Sequence, residues 1–425
     1  MDNKNIVISN GIILHLMQTE RFKTNYIFFT LKTKLTRENV TKNALLPLVL
    51  RRGSKNYPTM QDIAVKLEDM YGASFDANAD KIGDYSIIQF MMDTINDEYT
   101  FDNSSITNDA IDLFNDILFN PVVINNAFKE EYVEQEKETL KEVINSKIND
   151  KASYALSRTT EEMYKGEPYG LYKYGYVEDL DKISSNDLYE HYLDLLKTSE
   201  IDIYVSGKLQ ENLIIEKYTR LFESITRNYV DDRSENVSLV NEIFNAKPQE
   251  IVESQNVTQG KIVLGFKLKR GNLKSDFYKM TVYSAILGGT ASSKLFNNVR
   301  EKKSLAYTIS SQYIKHKGAL FVAAGIELEK YDIAKESILK EINDMKIGEI
   351  TDEELHDAKV NLVTRFKSFN DSQPALIGWA IGQEILDGDM DLEVVIKRIE
   401  SITKEDVLDV ANRLDLTTTY FLKGN

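Results

Sequence analysis

The chain has 425 residues, of which 42% are hydrophobic and 28% are charged, as is ordinary for a globular protein of two or three domains. Its 52 basic and 67 acidic residues give a net charge of −15, which disfavours nucleic acid and anionic membrane surfaces as partners. The absence of cysteine excludes disulfides, thiolate metal ligands and cysteine nucleophiles.

The N-terminal stretch MDNKNIVISNGIILHLMQ alternates apolar and polar residues around Asn10-Gly11, which predicts a strand, a tight turn and a second strand. It has no basic region followed by an apolar block and a cleavage site, so we expect no signal peptide. No apolar run is long enough to cross a bilayer. Without a signal or cysteine, we expect a cytoplasmic location.

Two halves of the chain show the same order of elements. Each half closes with a capping-box helix, marked by Ser184 and Asp187 in the first half and by Thr403 and Asp406 in the second. The predicted matching strands are 26–31 with 261–266, 85–90 with 320–324, and 201–205 with 419–422. The predicted matching helices are 108–118 with 331–345, and 130–144 with 352–366.

This pattern predicts an α+β fold of two duplicated domains, each a mostly antiparallel sheet covered by helices on one face. The predicted domains are residues 1–227 and 248–425. Residues 228–247, a polar stretch that ends before Pro248, are the predicted linker.

The stretch GGTASSKLFNNVREKKSLAY, residues 288–307, has the most specific pattern in the chain. Its glycine pair predicts a tight bend, after which Thr290 or Ser292 can cap a short helix with apolar residues on one side. This helix is predicted to end at Arg300, and Tyr307 opens a β-rich run. On spacing alone, the two residues are interpreted as a solvated arginine and a tyrosine packed in the core.

The same stretch resembles the second-domain signature of the insulinase/pitrilysin-type metallopeptidases, family M16. In that family a Gly-Gly-x-x-Ser-x-Leu-Phe helix leads into an Arg-Glu-Lys-x-x-x-Leu-Ala-Tyr turn, and the resemblance covers nearly the whole chain. It implies that Arg300 and Tyr307 contact substrate and assist at the scissile carbonyl. It also implies an M16-like fold, in which paired chains of two domains close a chamber with zinc on one side and the Arg/Tyr pair on the other.

The zinc motif of the family, H-x-x-E-H, is absent from the matching stretch NALLPLVLRRGS. Aligning the Gly-Ser end of this stretch places Ala44 and Leu48 at the two histidine positions and Pro47 at the general base, so none of the three can bind zinc or accept a proton. The third ligand of the family would fall near Glu142 or Val143, and one carboxylate does not make a zinc site.

The apolar side chains at these degenerate positions indicate that the helix face stays packed against the sheet. Pro47 is compatible with such a helix if it lies in the first turn, where its missing N–H removes no hydrogen bond. We therefore expect the fold to be kept and only the metal to be lost.

The stretch MYGASFDANA, residues 70–79, lies where the family has an edge strand that binds peptide by main-chain addition. Its glycine and short side chains suit a close backbone approach. An ordinary turn followed by an edge strand fits the same residues equally well.

No other part of the chain predicts a catalytic site. The four histidines are His15, His191, His316 and His356, and no two of them have the spacing that would place two metal ligands on one helix face. The carboxylates of Glu134, Glu136 and Glu138 alternate with lysines and are interpreted as a solvated helix face. The chain contains no G-x-S-x-G, P-loop or Rossmann motif, and Trp379 is interpreted as a core residue.

Residues and resemblance together predict a non-catalytic subunit of a heterodimeric M16-type zinc peptidase, inactive on its own. The stretch EKETLKEVINSKINDKASYALSRTTEEMYKGEPYGLYKYG resembles site-less bacterial members that are grouped with a site-bearing sister. This chain would contribute peptide binding and oxyanion assistance through Arg300 and Tyr307 and hold no cofactor, while a partner carrying H-x-x-E-H holds the zinc. The alternative is a peptide-binding or structural homodimer with no proteolytic role.

Overall fold

In a computed structural model of the protein, which describes residues 2–101, 105–231, 239–240, 247–269 and 271–424, the chain forms two compact units. The first unit comprises Met1–Ser146 and Glu167–Asp232, and the second comprises Lys147–Gly166 and Arg233–Asn425. The domain limits 1–227 and 248–425 stay predictions. Residues 232–238 and 241–246 of the predicted linker lie outside the described residues.

The strands, in chain order, are β1 (Asp2–Ser9), β2 (Ile12–Gln18), β3 (Thr24–Lys34), β4 (Ser74–Ile82), β5 (Tyr85–Ile95), β6 (Val123–Ile124), β7 (Ala127–Phe128), β8 (Glu200–Gly207), β9 (Leu239–Val240), β10 (Gln249–Gln255), β11 (Gly260–Leu268), β12 (Gly271–Asn272), β13 (Thr308–Ile314), β14 (Ala319–Ile326) and β15 (Leu414–Gly424).

The α-helices are α1 (Val40–Leu50), α2 (Met60–Asp69), α3 (Ile106–Phe119), α4 (Glu130–Ser146), α5 (Lys151–Met163), α6 (Val177–Leu180), α7 (Ser185–Thr198), α8 (Glu211–Glu223), α9 (Leu273–Ser284), α10 (Tyr331–Lys346), α11 (Asp352–Ser368), α12 (Gln373–Glu384), α13 (Leu392–Ser401) and α14 (Lys404–Asn412). Single 3₁₀ turns occur at Asp97–Tyr99, Pro168–Gly170, Leu328–Lys330 and Phe369–Asp371. Two further segments, Ala285–Gly289 and Leu295–Lys302, have the wider π-type winding.

Each unit contains one large sheet, and the two sheets share a topology. The first has the strand order β1-β2-β8-β3-β5-β4 and the second has the order β10-β15-β11-β14-β13. Neighbours are antiparallel except for β2 with β8 and β10 with β15, which occupy matching places. The predicted fold of two duplicated α+β domains is therefore confirmed, and β1 is an addition to the first sheet.

The core of the first unit lies between its sheet and its helices. Along β3, Ile27, Phe29 and Leu31 alternate onto the core face, as the two-residue period of a strand requires. Helices α1, α3, α7 and α8 all supply buried apolar side chains to this core. Within the described part of the chain, no helix is both long and apolar enough to cross a membrane.

A partly buried polar pair joins α1 to α7. Asn43 is fully buried, and its Oδ1 lies 2.7 Å from His191 Nε2. An amide oxygen only accepts hydrogen bonds, so His191 donates through Nε2. Burial, with a smaller contribution from Lys42, lowers the pKa of His191 to about 4. The imidazole is therefore neutral at pH 7.

Helix α5 packs in the second unit against β11 and β15. A methyl group added at Gly265 would come within 2.8 Å of Met163 Sδ, so the glycine permits this close approach. Glu253 on β10 accepts hydrogen bonds from Tyr154 Oη at 2.5 Å and from Tyr420 Oη at 2.8 Å, and Arg158 Nε lies 3.4 Å away. Burial raises the pKa of Glu253, but these contacts outweigh it and hold the pKa below the ordinary value.

We expect His191→Gln to weaken the pH dependence of stability. Because the folded state depresses the pKa of His191, the unfolded chain binds its proton first as the pH falls below about 6.5, and the wild-type protein loses stability there. Between pH 7 and pH 5 this single group accounts for about 1–2 kcal/mol of the change. Urea unfolding followed by circular dichroism at both pH values measures the difference, with His356→Gln on an exposed site as control. Equal pH dependence in His191→Gln and the wild type would contradict this assignment.

We expect Glu253→Gln to destabilise the second unit by about 1–2 kcal/mol at pH 7, because charge-assisted hydrogen bonds to α5 and β15 are lost. A carboxylate with a depressed pKa stabilises the fold only while it is ionised, so the difference should vanish as the pH falls below the ordinary glutamate pKa. Fluorescence of Trp379, the one tryptophan, follows unfolding of this unit. Glu349→Gln, at an exposed position, is the control. A loss of stability that is equal at pH 7 and pH 3 would refute the role of the charge.

Candidate functional site

The stretch 288–307 lies in the second unit and leads into β13, the edge strand of its sheet. Its helix begins at Leu295 after Lys294 and has no side-chain cap, so the predicted capping by Thr290 or Ser292 is wrong. Lys294, the residue before this helix, forms an ion pair in which its Nζ lies 2.8 Å from Glu354 of α11. The helix continues to Lys302, two residues beyond its predicted end at Arg300.

The glycine pair allows close packing against β13. A methyl group added at Gly288 would come within 2.8 Å of the Ser311 backbone nitrogen. The hydroxyl of Ser311 donates to the Ser284 carbonyl at 2.8 Å, which fixes the strand against the end of α9. The glycine at this position is therefore required by the approach of two backbones.

A compact turn joins the helix to the strand. Ser304 has a φ of 50° and donates its N–H to the Arg300 carbonyl at 3.1 Å, and Leu305 donates to Val299 at 3.0 Å. The N–H of Tyr307 then bonds to Gly325 at 2.8 Å, at the start of the pairing between β13 and β14. The main chain is thus held on both sides of the turn.

The Arg300 guanidinium is only lightly bound to its own fold. Its side chain is 40% exposed, with Nε 3.6 Å from Glu301 Oε1. The guanidinium carbon lies 4.6 Å from the centre of the Phe296 ring. Exposed ion pairs of this kind contribute about 1 kcal/mol or less. An incoming carbonyl or carboxylate can compete for this cation.

Tyr307 is 55% exposed, so the interpretation of a core-packed tyrosine, made from spacing alone, is wrong. Its hydroxyl donates to Glu327 Oε1 at 3.3 Å. A hydrogen bond from Lys330 is the main cause that lowers the pKa of Glu327, and Tyr307 lowers it further. The carboxylate is therefore an ionised acceptor at neutral pH, and the phenol is a hydrogen-bond donor.

The helix that matches the zinc motif is α1. Ala44 is 3% exposed, Leu45 is fully buried and Leu48 packs partly buried against the same core, so the expected apolar packing is present. Pro47 lies inside the helix and not in its first turn, which is where the sequence analysis required it to lie. Its ring nitrogen has no hydrogen to give to the carbonyl of Asn43, one turn earlier.

Zinc does not fit these positions. A methyl group, an isobutyl group and a pyrrolidine ring offer no nitrogen, oxygen or sulfur donor. On α4, where the third ligand is expected, Glu142 is exposed and Val143 is half-buried. The degenerate positions Ala44, Pro47 and Leu48 are thus chemically unable to bind a metal.

An ion pair links Arg52, which follows α1, to α4. Glu136 is 3% exposed and its Oε1 lies 3.3 Å from Arg52 Nη1, while Arg52 also donates to Gln135. The Arg52 guanidinium lies over the ring of Tyr132, 5.0 Å from its centre. The interpretation of a solvated helix face is therefore wrong for Glu136 and for its buried neighbour Lys137. The spacing of residues within α4 does not predict the contact of Glu136 with Arg52, which lies 84 residues earlier in the chain.

The stretch 70–79 contains the start of β4, which is an edge strand of the first sheet. Tyr71, with a φ of 61°, and Gly72, with a φ of 74°, form the turn that precedes it. Ala77 and Ala79 point into the core and leave the polar side chains of the strand on the opposite face. The predicted edge strand is present, and peptide binding by it stays a prediction.

Comparisons with known proteins show what this chain is similar to. The family model described as Peptidase M16 inactive domain matches residues 182–362. A relative from Bacillus subtilis (strain 168), named probable inactive metalloprotease YmfF, is 32% identical over 421 residues, which cover 97% of this chain and 96% of the relative. A second relative from the same strain, named uncharacterized zinc protease YmfH, is 25% identical over 419 residues, which cover 95% of this chain and 91% of the relative.

Solved structures match over the full chain. The crystal structure of a conserved protein from Enterococcus faecalis V583 has a TM-score of 0.91 and 27% identity, and the match covers 100% of this chain and 99% of that one. The peptidase M16 inactive domain from Pseudomonas fluorescens has a TM-score of 0.80 at 14% identity, with the same coverage, and shows the fold alone. With a relative of this identity along almost its entire length, the chain belongs to the M16 metallopeptidase family, as a member that lacks the H-x-x-E-H zinc motif.

Proposed function

We propose that the protein is a non-catalytic subunit of a heterodimeric M16-type zinc peptidase. The observation that carries the proposal is the contrast between two parts of the chain. Arg300 and Tyr307 are exposed and lightly bound, whereas Ala44, Pro47 and Leu48 offer no donor to a metal. A partner chain with H-x-x-E-H supplies the zinc and the general base, and this chain supplies the arginine and the tyrosine.

The proposed chemistry follows from the two donor groups. The Arg300 guanidinium binds a carbonyl of the peptide substrate, and the Tyr307 phenol donates to the oxygen that becomes negatively charged as the tetrahedral intermediate forms. Donors that are already oriented toward this charge lower the barrier, and removal of one typically costs about 10²–10³ in turnover. In the free chain, the Tyr307 hydroxyl donates a hydrogen bond to the ionised Glu327.

Two further observations support the proposal. Among the described residues, strand β4 has one unpaired edge, and an extended peptide adds to such an edge through main-chain hydrogen bonds. Bacillus subtilis (strain 168) has both a relative named probable inactive metalloprotease and a relative named uncharacterized zinc protease. A heterodimer of this kind needs two unlike chains in one organism, one named inactive and one named a zinc protease.

We expect Arg300→Ala and Tyr307→Phe to reduce turnover by the mixed complex about a hundredfold, while assembly is unchanged, because both side chains are exposed. Turnover is measured on a quenched fluorescent peptide with the partner that carries H-x-x-E-H, and assembly by size-exclusion chromatography. Lys302→Ala on the same helix and Tyr99→Phe in the first unit are controls that remove an exposed charge and an exposed hydroxyl. Wild-type turnover by both site variants would rule out catalytic assistance.

We expect the purified chain alone to bind no zinc and to hydrolyse no peptide, because α1 presents no ligand. Metal analysis after dialysis against zinc, followed by the same peptide assay with and without the partner, provides the measurement. The partner alone is the control for zinc content. About one zinc ion per chain would overturn the assignment. A homodimer that binds peptide but gains no activity from any H-x-x-E-H chain would support the alternative, a binding or structural role.

A further inference from the structure

The unpaired side of β4 can be assigned from the hairpin that it forms with β5. The two strands are joined by Gly83 and Asp84, and Gly83 has a φ of 55°, as in a two-residue hairpin turn. Such a turn is closed by a hydrogen-bonded pair, here Ile82 with Tyr85, and pairs of this kind recur at every second residue. The N–H groups that point away from β5 therefore belong to Phe75, Ala77, Ala79 and Lys81.

Aspartates protect this edge. The N–H of Ala77 donates to Asp76 Oδ1 at 2.8 Å, and the N–H of Lys81 donates to Asp80 Oδ1 at 2.8 Å. Each carboxylate thus folds back onto the next outward N–H. Charged side chains on an edge prevent unspecific strand pairing.

The two halves of this edge, residues 74–78 and 79–82, differ in whether other side chains and loops contact them. In the second half, Lys173 Nζ lies 3.0 Å from Asp80 Oδ1, and Lys81 Nζ donates to the carbonyls of Tyr169 and Leu171 at 2.6 Å and 2.7 Å. In the first half, Asp76 is exposed, and none of the described residues supplies a cation to it. One edge aspartate, Asp80, is thus paired with a lysine of the same chain, whereas the equivalent Asp76 is exposed to solvent.

A second carboxylate lies behind Asp76. Asp93 on β5 is directly opposite Ser74, so it shares a sheet face with Asp76, two residues further along β4. Asp93 Oδ1 is buried and has no hydrogen-bond partner among the described residues. Burial, then Asp93 and Asp76 in that order, raises the pKa of Tyr26 on the adjacent β3 to about 12. Burial also raises the pKa of Asp93. Two carboxylates therefore lie on this face of the edge, and the exposed one is Asp76.

We propose that the open half of β4, residues 74–78, selects extended peptides that place a lysine or arginine beside Asp76. The inference rests on the proposed peptide-binding function and names its substrate class. A peptide strand that adds to this edge must offer a carbonyl to the Ala77 N–H, and Asp76 must then give up that hydrogen bond. A basic side chain on the peptide gives the released carboxylate a new partner, whereas a neutral or acidic peptide does not.

The test compares two fluorescein-labelled ten-residue peptides that differ only at alternate positions, lysine in one and glutamine in the other. Anisotropy titrations with the full chain at 50 mM salt should give at least fivefold tighter binding of the lysine peptide. Because the site is exposed, the preference should shrink at 500 mM salt. Equal affinity for both peptides, or no binding of either, overturns the inference.

Variants separate this specific preference from the general attraction of an acidic protein for basic peptides. In Asp76→Asn the amide oxygen can still accept the Ala77 N–H, so only the charge is removed, and the lysine preference should fall about threefold or more. Glu223→Gln removes one charge from an exposed position on α8, which packs against β1 at the other edge of the sheet, and should leave the preference intact. Equal preference in the two variants overturns the role of Asp76.

A third variant tests the edge itself. Ala77→Pro removes the outward N–H without removing a bond to β5, as proline is tolerated on an edge strand. It should abolish binding of both peptides while circular dichroism shows an unchanged fold. If binding survives Ala77→Pro, peptide addition at this edge fails, and with it the inference. If Ala77→Pro abolishes binding and Asp76→Asn has no effect, the edge function stands and only the preference for basic residues is refuted.

Discussion

The first unit depends on the burial of α1 against its sheet. Full burial of a leucine side chain contributes about 1.5–3 kcal/mol, and α1 buries Leu45, Leu46 and Leu50 together with Ala44. A zinc site on this helix would replace part of that apolar face with polar ligands. Instead, Asn43 on α1 contacts His191, and Arg52, just after the helix, contacts Glu136. The helix is thus held without a metal, and a proline in its interior is tolerated within this packing.

Duplication gives the two units the same sheet but different edges. Strand β4 of the first unit and β13 of the second occupy equivalent places, since each lies at the end of the strand order among the described residues and pairs with the strand that follows it in the hairpin. The edge of β4 carries aspartates that accept outward N–H groups. The edge of β13 follows directly after Tyr307, with Glu327 beside the phenol. One scaffold therefore presents an acidic edge in one unit and hydrogen-bond donors in the other.

The sequence predicts features that depend on neighbouring residues and fails where contacts are distant. The Asn10-Gly11 hairpin and the capping boxes at Ser184 and Thr403 are all present, because turn and cap chemistry acts within a few residues. The ion pair of Lys294 with Glu354 and the buried contact of Glu136 with Arg52 join residues that are far apart in the chain. The sequence also places the edge strand correctly, but not the folding of Asp76 onto the Ala77 N–H, which depends on the hairpin register.

Stability explains the residues on α1 but not Arg300 and Tyr307. Ala44 and Leu48 are suited to an apolar core, and donor-free side chains there are what folding without a metal favours. An exposed guanidinium with one 3.6 Å ion pair contributes about 1 kcal/mol or less, and a phenol that is mostly exposed buries little apolar area. Folding thus gives no reason for an arginine and a tyrosine at these two positions in particular. Because substrate binding does give such a reason, the second unit is where a functional role for this chain has its strongest physical basis.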